Sequence, residues 1–408
     1  MKPTTTLSTI GWAAYLAVSW TWCIGMWMPV LLLRDFGAWS FASFALPNCI
    51  GAAAMGWVIA SPEWSRRFVE KHGAACRVFS LVTFIFQVFF LASILHRSVV
   101  AGKMVATLAV AIPAVLTIMA LPSRGGSASG TRRLIVAGIV WAVSAGIGVW
   151  FLSTQRLSLP QSGTLAGDMT GLEHAGLAAS CTLGFMLCPY LDLTFHRARE
   201  NATGAASGAA FGLGFCVLFV AMIVMTLFYG ASLLQDGGGR VLLHPALLAA
   251  PLMVHMAMQL AFTMREHSEF MLPQRADRSA GLTGLGILLA AAGGVIVAHA
   301  DIPSYNGFAP FEIKYRLFMS FYGLVFPAYI WICADWRDMR GTGTSSKPAW
   351  VRLAIFALAV MLAAPMFWLG FIERRYEWLL PGVGLVLIAR VPAVILDKSG
   401  AAIRRRTT

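Results

Sequence analysis

The chain has 408 residues, of which 58% are hydrophobic and only 12% are charged, and its mean hydropathy is +0.72. Soluble globular domains are about 45–50% apolar and about 25% charged, so this chain has too few charges to cover a water-facing surface. The composition excludes a soluble enzyme, a disordered segment and a nucleic-acid-binding domain, although the net charge is +13. It indicates a polytopic helical membrane protein, whose cytoplasmic loops collect Lys and Arg.

Apolar windows long enough to cross a bilayer follow one another along the whole chain. A transmembrane helix needs about 20 mostly apolar residues. The windows, numbered here as spans 1 to 12, are 10–33, 41–60, 76–95, 101–121, 133–153, 172–195, 207–230, 244–264, 281–299, 310–334, 351–371 and 378–396. They predict an all-α fold with about 12 transmembrane helices, in a single membrane domain over residues 1–408.

The basic residues predict the orientation of these spans. With the N-terminus inside, 22 of the 31 Lys and Arg residues fall on the inner side and the remaining 9 on the outer side. Such an excess is typical of cytoplasmic loops. We therefore expect an integral protein of the cell or cytoplasmic (inner) membrane, with both termini in the cytoplasm.

Spans 1 and 6 carry a Gly/Pro interruption at matching positions. Gly184 lies 159 residues after Gly25, and Pro189 lies 160 residues after Pro29. A shift of five spans reverses the orientation, so the pattern predicts two inverted repeats with broken helices 1 and 6. Interrupted helices at corresponding positions point to a transporter binding site, although a single interruption is also typical of a simple proline kink.

The repeats divide the membrane domain into three parts. The first five-helix repeat is predicted over residues 10–153 and the second, inverted repeat over 172–334, with two additional helices over 351–396. A six-plus-six division, as in major-facilitator transporters, fits less well. That architecture has a Gly/Asp/Arg-rich loop after its second helix, whereas this chain has Ser61-Pro-Glu-Trp-Ser-Arg-Arg67 there.

With this architecture and these breaks, the chain resembles the leucine-transporter fold of the amino acid–polyamine–organocation superfamily, and it is most similar to the sodium:solute symporters. The resemblance covers spans 1 to 10. It implies alternating access, in which a helix bundle moves against a scaffold around a substrate near the membrane midplane. Many sodium-coupled members hold the ion with a Ser/Thr pair on helix 8. Span 8 has no such pair at its centre, so the sequence departs from the sodium-coupled pattern at that position.

The broken centres of spans 1 and 6 are the predicted substrate site, flanked by spans 3 and 8. Aromatic residues near the breaks can stack on a ring or hold a quaternary amine. Gln87 on span 3 is equally consistent with an interhelical hydrogen bond. The predicted substrate-binding residues are Trp22, Gly25, Trp27, Pro29, Gln87, Gly184, Cys188, Pro189 and Tyr190.

Ionisable or strongly polar groups inside apolar spans are costly and are therefore candidates for ion or proton coupling. Asp192 follows the span 6 break, one helical turn before His196. Its carboxylate either binds a proton or a cation, or it forms half of a structural pair at the inner end. His255 and Gln259 form a second i,i+4 pair on span 8. His255 is either a proton-coupling group or a histidine that hydrogen-bonds within the bundle.

Opposite charges at the outer ends of spans 1 and 10 suggest an outer gate. Arg34 and Asp35 end span 1, and Glu312 begins span 10. In the fold that the chain resembles these two ends approach each other, so the charges would latch the cavity shut. A charged rim at the level of the lipid headgroups is the alternative.

The sequence predicts ion-coupled secondary active transport of a small organic solute by alternating access. H⁺ or Na⁺ is the expected coupling ion, and no other cofactor and no catalytic residue are expected. No metal site is expected either, since the seven cysteines show no ligand spacing. The expected partners are the lipid bilayer and a small-molecule substrate, without nucleic acid. The alternatives are a membrane-embedded enzyme acting on a lipid-borne substrate and a non-transporting sensor that keeps the transporter fold.

Overall fold

The computed structural model describes residues 5–122, 129–154, 169–202, 206–234, 246–271, 280–334 and 349–395. Within these ranges the chain is helical, and the only extended pairing is an isolated bridge between Tyr305 and Phe308. This agrees with the predicted all-α class.

Within the described ranges, a helix lies in each of the twelve predicted windows. Spans 1 to 5 are formed by α1 (Thr5–Trp20) with α2 (Cys23–Phe36), α3 (Ala38–Val58), α4 (Pro62–Val100), α5 (Met104–Ala120) and α6 (Ser129–Thr154). Spans 6 to 8 are formed by α7 (Gly171–Leu187) with α8 (Leu193–Asn201), α9 (Ala206–Leu213) with α10 (Val220–Leu234), and α11 (Ala246–Ser268). Spans 9 to 12 are formed by α12 (Ala280–His299), α13 (Pro310–Ser320) with α14 (Phe326–Cys333), α15 (Ala349–Phe371) and α16 (Leu379–Ile388).

Length and hydropathy support these spans. In the described ranges nine helical segments are long and apolar enough to cross a membrane, or ten when the bent pair α1–α2 is taken as one span. The apolar helix α5 has 17 residues, and α11 covers the described part of the span 8 window, from residue 246 onward. Only 11% of the apolar window of α12 and 22% of that of α15 is buried, against 61% for the span that contains α7. Spans 9 and 11 therefore lie at the periphery and span 6 lies inside.

The interruption of span 1 lies earlier than predicted. Helix α1 ends at Trp20 and α2 begins at Cys23, with a bend of 57° between them, so the predicted break at Gly25–Pro29 was wrong. The Thr21 hydroxyl donates to the carbonyl of Ala17 at 2.7 Å, and the Trp22 indole N–H donates to the carbonyl of Ser19. The helical backbone ladder ends at Thr21, whose N–H still donates to the Ala17 carbonyl at 3.0 Å, whereas the N–H of Trp22 donates to the Trp20 carbonyl at 2.9 Å.

The interruption of span 6 lies where Pro189 predicted it. Helix α7 ends at Leu187, residues Cys188–Leu191 form a 3₁₀ turn, and Asp192 has extended dihedral angles of −81° and 109° before α8 begins. Spans 1 and 6 are thus both broken in the described part of the all-helical membrane bundle, as the predicted fold class requires. The repeat boundaries at 10–153 and 172–334, and the separate pair at 351–396, stay predictions.

Span 3 begins earlier than its apolar window. Helix α4 starts at Pro62, where the Ser61 hydroxyl accepts a hydrogen bond from the backbone N–H of Trp64 at 3.3 Å. A proline in the first turn and a serine N-cap are typical of a helix start. The backbone kinks at His72, with dihedral angles of −108° and 15°. The polar segment before the kink is therefore helical and leads into the apolar span.

Glycines allow the central helices to approach closely. A Cβ atom on Gly51 of α3 would lie 2.6 Å from the carbonyl oxygen of Phe185 on α7. A Cβ atom on Gly184 would lie 2.7 Å from the carbonyl oxygen of Tyr322, in the π-helical turn between α13 and α14. Spans 2 and 10 thus contact the backbone of span 6 next to its break. The two ends of the bundle are called outer and inner here after the orientation that the loop charges predict.

Candidate functional site

The two broken helices meet at a central cavity. Its lining includes residues from α1, α2, α3, α7 and the turns after α7 and α13, namely Trp20, Trp22, Ile24, Gly25, Asn48, Phe185, Cys188 and Tyr322. The space open to the centre of a water molecule is about 10 Å³, which is close to the minimum for one water. The helices therefore pack tightly around the site in this conformation.

The walls of the central cavity are mainly aromatic, with one amide among them. The rings of Trp20 and Trp22 lie 4.6 Å apart, and the ring of Tyr322 lies 5.4 Å from that of Trp22. The Trp20 indole N–H donates to the Asn48 side-chain oxygen at 2.7 Å. Asn48 therefore ties α3 to the end of α1, beside the break.

Two prolines free backbone acceptors beside this cavity. Pro29 and Pro189 have no N–H, so the carbonyls four residues earlier, those of Gly25 and Phe185, lose the usual helical donor. Both Gly25 and Phe185 line the central cavity. Pro29 does not break α2. It nevertheless leaves a backbone carbonyl beside the cavity without the donor that it would have in a regular helix.

Three predicted substrate-binding residues line this cavity: Trp22, Gly25 and Cys188. Gly184 lies in an adjacent apolar cleft with Phe185 and Tyr322. The predicted substrate-binding residues did not include the other five lining residues, Trp20, Ile24, Asn48, Phe185 and Tyr322. Two of these residues could have been found from the sequence. Phe185 lies four residues before Pro189, and Asn48 is a polar residue in an apolar span.

The other predicted substrate residues lie away from this cavity's lining. Trp27 contacts Phe90 and Phe311 towards the outer end, with ring centroids 5.9 and 6.1 Å away. Tyr190 lies on the inner side of the break, where its carbonyl oxygen bonds to Nε2 of His196 at 2.9 Å. Pro29 and Pro189 act through the carbonyls described above.

Gln87 on α4 is fully buried, and neither atom of its amide has a hydrogen-bond partner among the described residues. The interhelical hydrogen bond that the sequence suggested for Gln87 is therefore not formed in this conformation. An amide buried in this way is costly, because both its donor and its acceptor have lost water.

A buried charge network closes the outer end, where the sequence predicted a gate. Glu312 on α13 accepts hydrogen bonds from both terminal nitrogens of Arg34 on α2, at 2.9 and 2.6 Å. Asp35 accepts from Arg34 Nε at 2.9 Å and from Arg316 Nη2 at 2.5 Å. Arg316 also reaches Glu312 at 2.9 Å and the Phe371 carbonyl at 3.0 Å. The charges are therefore paired and buried, unlike those of a solvated rim.

A second buried network, which the sequence analysis missed, closes the inner end. Glu266 near the end of α11 accepts from the Tyr15 hydroxyl on α1 at 2.6 Å and from Arg133 Nε on α6 at 2.6 Å. Arg197 on α8 bonds to Glu266 as well. Glu269 accepts from Arg133 at 2.6 Å and from Arg197 at 2.9 Å. Four spans, including the inner parts of both broken ones, therefore meet at two carboxylates.

The candidate pair on span 8 is joined through a third residue. The Ser144 hydroxyl on α6 lies 2.9 Å from Nδ1 of His255 and accepts from Nε2 of Gln259, also at 2.9 Å. The second ring nitrogen of His255 and the amide oxygen of Gln259 are buried without partners among the described residues. His255 and Gln259 thus form a polar link between α11 and α6, rather than a part of the central cavity lining.

One of the sequence alternatives paired Asp192 with His196, but the two side chains do not bond to each other. Its Oδ1 accepts from the backbone N–H and the hydroxyl of Thr194, at 2.8 and 2.7 Å, which makes Asp192 the N-cap of α8. The imidazole of His196 instead bonds to the Ser65 hydroxyl at 2.8 Å and to the Tyr190 carbonyl. The helical spacing failed here because Asp192 lies outside the helix that contains His196.

An inner vestibule of about 510 Å³ lies beneath the span 6 break. It is bounded by α4, α8 and the segment after α11, and its lining includes Arg77, His196, Arg197, Glu200 and Phe270. Within the described ranges no three His, Cys, Asp or Glu side chains are placed to hold a metal ion.

Comparison with known proteins identifies the fold. No family model and no curated protein sequence matches this chain. Among solved structures, the chain is similar to Mhp1, a nucleobase-cation-symport-1 family transporter, in a closed conformation with bromovinylhydantoin bound. The TM-score is 0.54 with 12% sequence identity, over 96% of this chain and 92% of Mhp1. At this identity the likeness establishes the leucine-transporter-like fold and leaves the choice of family, including the sodium:solute symporters, as a prediction.

Proposed function

We propose that this protein is a secondary active transporter, which moves a small organic solute across the membrane by alternating access and couples it to H⁺ or Na⁺. One observation carries the proposal: two buried charge networks lie at opposite ends of the bundle, and the breaks of spans 1 and 6 lie between them. Each network joins spans that must separate if the central cavity is to open to that side. A pair of gates around one cavity is the arrangement that alternating access requires.

The chemistry of the cavity favours a flat heterocyclic solute with amide-like donors. Trp20, Trp22 and Tyr322 offer faces on which a ring can stack. The carbonyl of Gly25, which Pro29 leaves without its usual helical donor, can accept a hydrogen bond from a ring N–H group. Bromovinylhydantoin, the ligand of the similar structure Mhp1, belongs to this chemical class. A solute of that size needs more space than the cavity has here, so binding requires the walls to move apart.

The coupling ion has two candidates. Span 8 lacks a central Ser/Thr pair, which weakens the case for sodium at the position used by many proteins of this fold. The carboxylate of Asp192 and the imidazole of His255 are buried, and both are groups that can carry a proton.

The test is a binding screen followed by transport. Purified full-length protein is heated with nucleobases, hydantoins, amino acids, betaines and sugars, with and without Na⁺ and at several pH values. We expect a heterocyclic compound to raise the unfolding temperature and to accumulate in proteoliposomes when an H⁺ or Na⁺ gradient is imposed. Binding without movement would favour the sensor, and turnover of a lipid would favour the enzyme.

A further inference from the structure

Below the central cavity, Asp192 and His267 face each other across the break of span 6. Both side chains are fully buried, and His267 Nε2 lies 3.9 Å from Asp192 Oδ2. Neither Asp192 Oδ2 nor either ring nitrogen of His267 has a hydrogen-bond partner among the described residues. Since a buried polar atom without a partner is costly, three such atoms together indicate a site that is completed by something else.

The charges around this site leave Asp192 without a compensating cation. The arginines of the inner network, Arg133, Arg197 and Arg265, pair with Glu266 or Glu269. Among the described residues, the only ion-pair partner of Asp192 is His267. The carboxylate of Asp192 forms no ion pair with these arginines, and its Oδ1 accepts hydrogen bonds from Thr194, whereas its Oδ2 has no partner in the described chain. An ionised carboxylate that is buried without a cation is strongly disfavoured, so binding a proton is the simplest way to neutralise it.

We infer that Asp192 and His267 form a proton-binding pair and that, on the basis of the proposed transport function, this proton is the coupling ion. One H⁺ adds to the ionised carboxylate of Asp192 while His267 is neutral. The proton is then held on the carboxyl group and shared with the imidazole as O–H···N, and its release to water restores the starting state. A gap of 3.9 Å is longer than a hydrogen bond, so the two side chains move together when the proton binds.

The position of this pair links the proton to both the cavity and the inner gate. The Trp22 ring, which lines the central cavity, lies 5.8 Å from the His267 ring. Glu266, which holds the inner network, directly precedes His267. Asp192 belongs to the break of span 6 and His267 to span 8, so the shared proton would hold these two spans together until the inner end opens.

Other titratable groups face the pair from the surrounding helices. His196 lies on the same side of the break as Asp192 and bonds to Ser65 and the Tyr190 carbonyl. The groups within electrostatic range of Asp192 or His267 on other elements are Glu266, Cys76, Cys188, Tyr322 and Arg197. Any of these can change the pH at which the pair titrates. The test therefore follows the carboxyl group itself rather than total proton uptake.

Infrared difference spectroscopy of the full-length protein in lipid, titrated with H⁺ and repeated in D₂O, detects the C=O stretch of a protonated carboxylic acid without any substrate. We expect a titrating band that Asp192→Asn removes, since asparagine caps α8 equally well. His267→Gln should change the pH at which the band appears. The matched control is His72→Gln, which removes another buried histidine, one bonded to Tyr329 at 3.0 Å, and should leave the band unchanged.

The proposed proton-binding pair would be overturned if the band persists in Asp192→Asn. It would also be overturned if the band titrates at the same pH in His267→Gln as in His72→Gln. If Asp192→Asn does not fold, the two histidine variants decide alone. A normal band with no accumulated solute in the screen would reject transport but keep the proton site.

For a solute that is transported, an imposed pH gradient should drive accumulation by the native protein and only equilibration by Asp192→Asn. Accumulation driven by a sodium gradient alone would reject the proton as the coupling ion.

Discussion

At the scale of single residues, the bond between Asn48 and Trp20 shows why one polar side chain lies in an otherwise apolar span. The indole N–H of Trp20 is buried beside the break, and the Asn48 oxygen is its acceptor at 2.7 Å. A side-chain amide from α3 therefore fulfils that role at the end of α1.

Replacing this acceptor should destabilise the protein. In Asn48→Ala the Trp20 N–H is left buried and unpaired, which costs about 1–3 kcal/mol. We expect a lower midpoint in chemical unfolding of the protein in detergent. The control is Ser153→Ala, which removes an exposed hydroxyl bonded to the Trp150 carbonyl and should leave the midpoint unchanged. Equal midpoints for the two variants would show that the bond contributes nothing.

Gly184 is a second residue whose role is decided by a neighbour. A Cβ atom there would lie 2.7 Å from a backbone oxygen on span 10, which cannot rotate away as a side chain can. Gly184→Ala should therefore push spans 6 and 10 apart and lower the unfolding temperature, although alanine favours the helix by about 1 kcal/mol. Gly146→Ala on α6 meets nothing within 4 Å and should leave stability equal or higher. A Gly184→Ala variant as stable as Gly146→Ala would contradict the close contact.

At the scale of elements, the outer network couples α2 to α13. Glu312 bonds to both Arg34 and Arg316, so its loss leaves two buried guanidinium groups with fewer partners. Breaking a buried ion pair from one side costs about 3–5 kcal/mol in the state that contains it. The closed outer end should therefore lose population relative to the open one.

We expect Glu312→Gln to expose the central cavity to the outside. The readout is the labelling rate of Cys188 by a membrane-impermeant maleimide, in a background where the other six cysteines are replaced. The rate should rise about tenfold or more, since about 1.4 kcal/mol shifts a population tenfold. The control, Glu373→Gln, removes a carboxylate that accepts from Tyr305 at the outer surface and should not change the rate. Identical rates in the two variants would exclude Glu312 as a latch.

At the scale of the whole molecule, the two networks should act in opposition, because closing one end accompanies opening of the other in alternating access. Glu266→Gln weakens three contacts at once, with Tyr15, Arg133 and Arg197. We expect Cys188 labelling to become faster from the inner side in inside-out vesicles and no faster from the outer side. The control is Glu63→Gln, whose pair with Arg66 is exposed, and exposed pairs contribute only about 0.2–1 kcal/mol. Faster labelling from both sides would indicate general loosening rather than gating.

The likeness to Mhp1 concerns this same scale. It covers nearly all of both chains at 12% identity. The two proteins therefore share the order and packing of the spans but few of the side chains. The proposed solute and coupling ion therefore depend on this chain's own cavity residues and charges, not on the likeness.

The sequence by itself determined the membrane class, the twelve apolar windows and the need for interruptions in spans 1 and 6. These properties are local, since hydropathy, proline and glycine act on their own segment of the chain. The charges of the outer network were also predictable, because the fold that the chain resembles brings the ends of spans 1 and 10 together. The position of the span 1 break was not, since the helical backbone ladder ends at Thr21, where the sequence has neither glycine nor proline.

Only the tertiary structure decided which distant residues meet. Glu266 bonds to Tyr15 and Arg133, which are 251 and 133 positions away, and no sequence pattern links such residues. His267 and Asp192 are likewise brought together by the packing of span 8 against the break of span 6. Buried charges are neutralised by whatever lies nearest in space, so their partners depend on how the helices pack, whereas the helices themselves depend on local hydrophobicity.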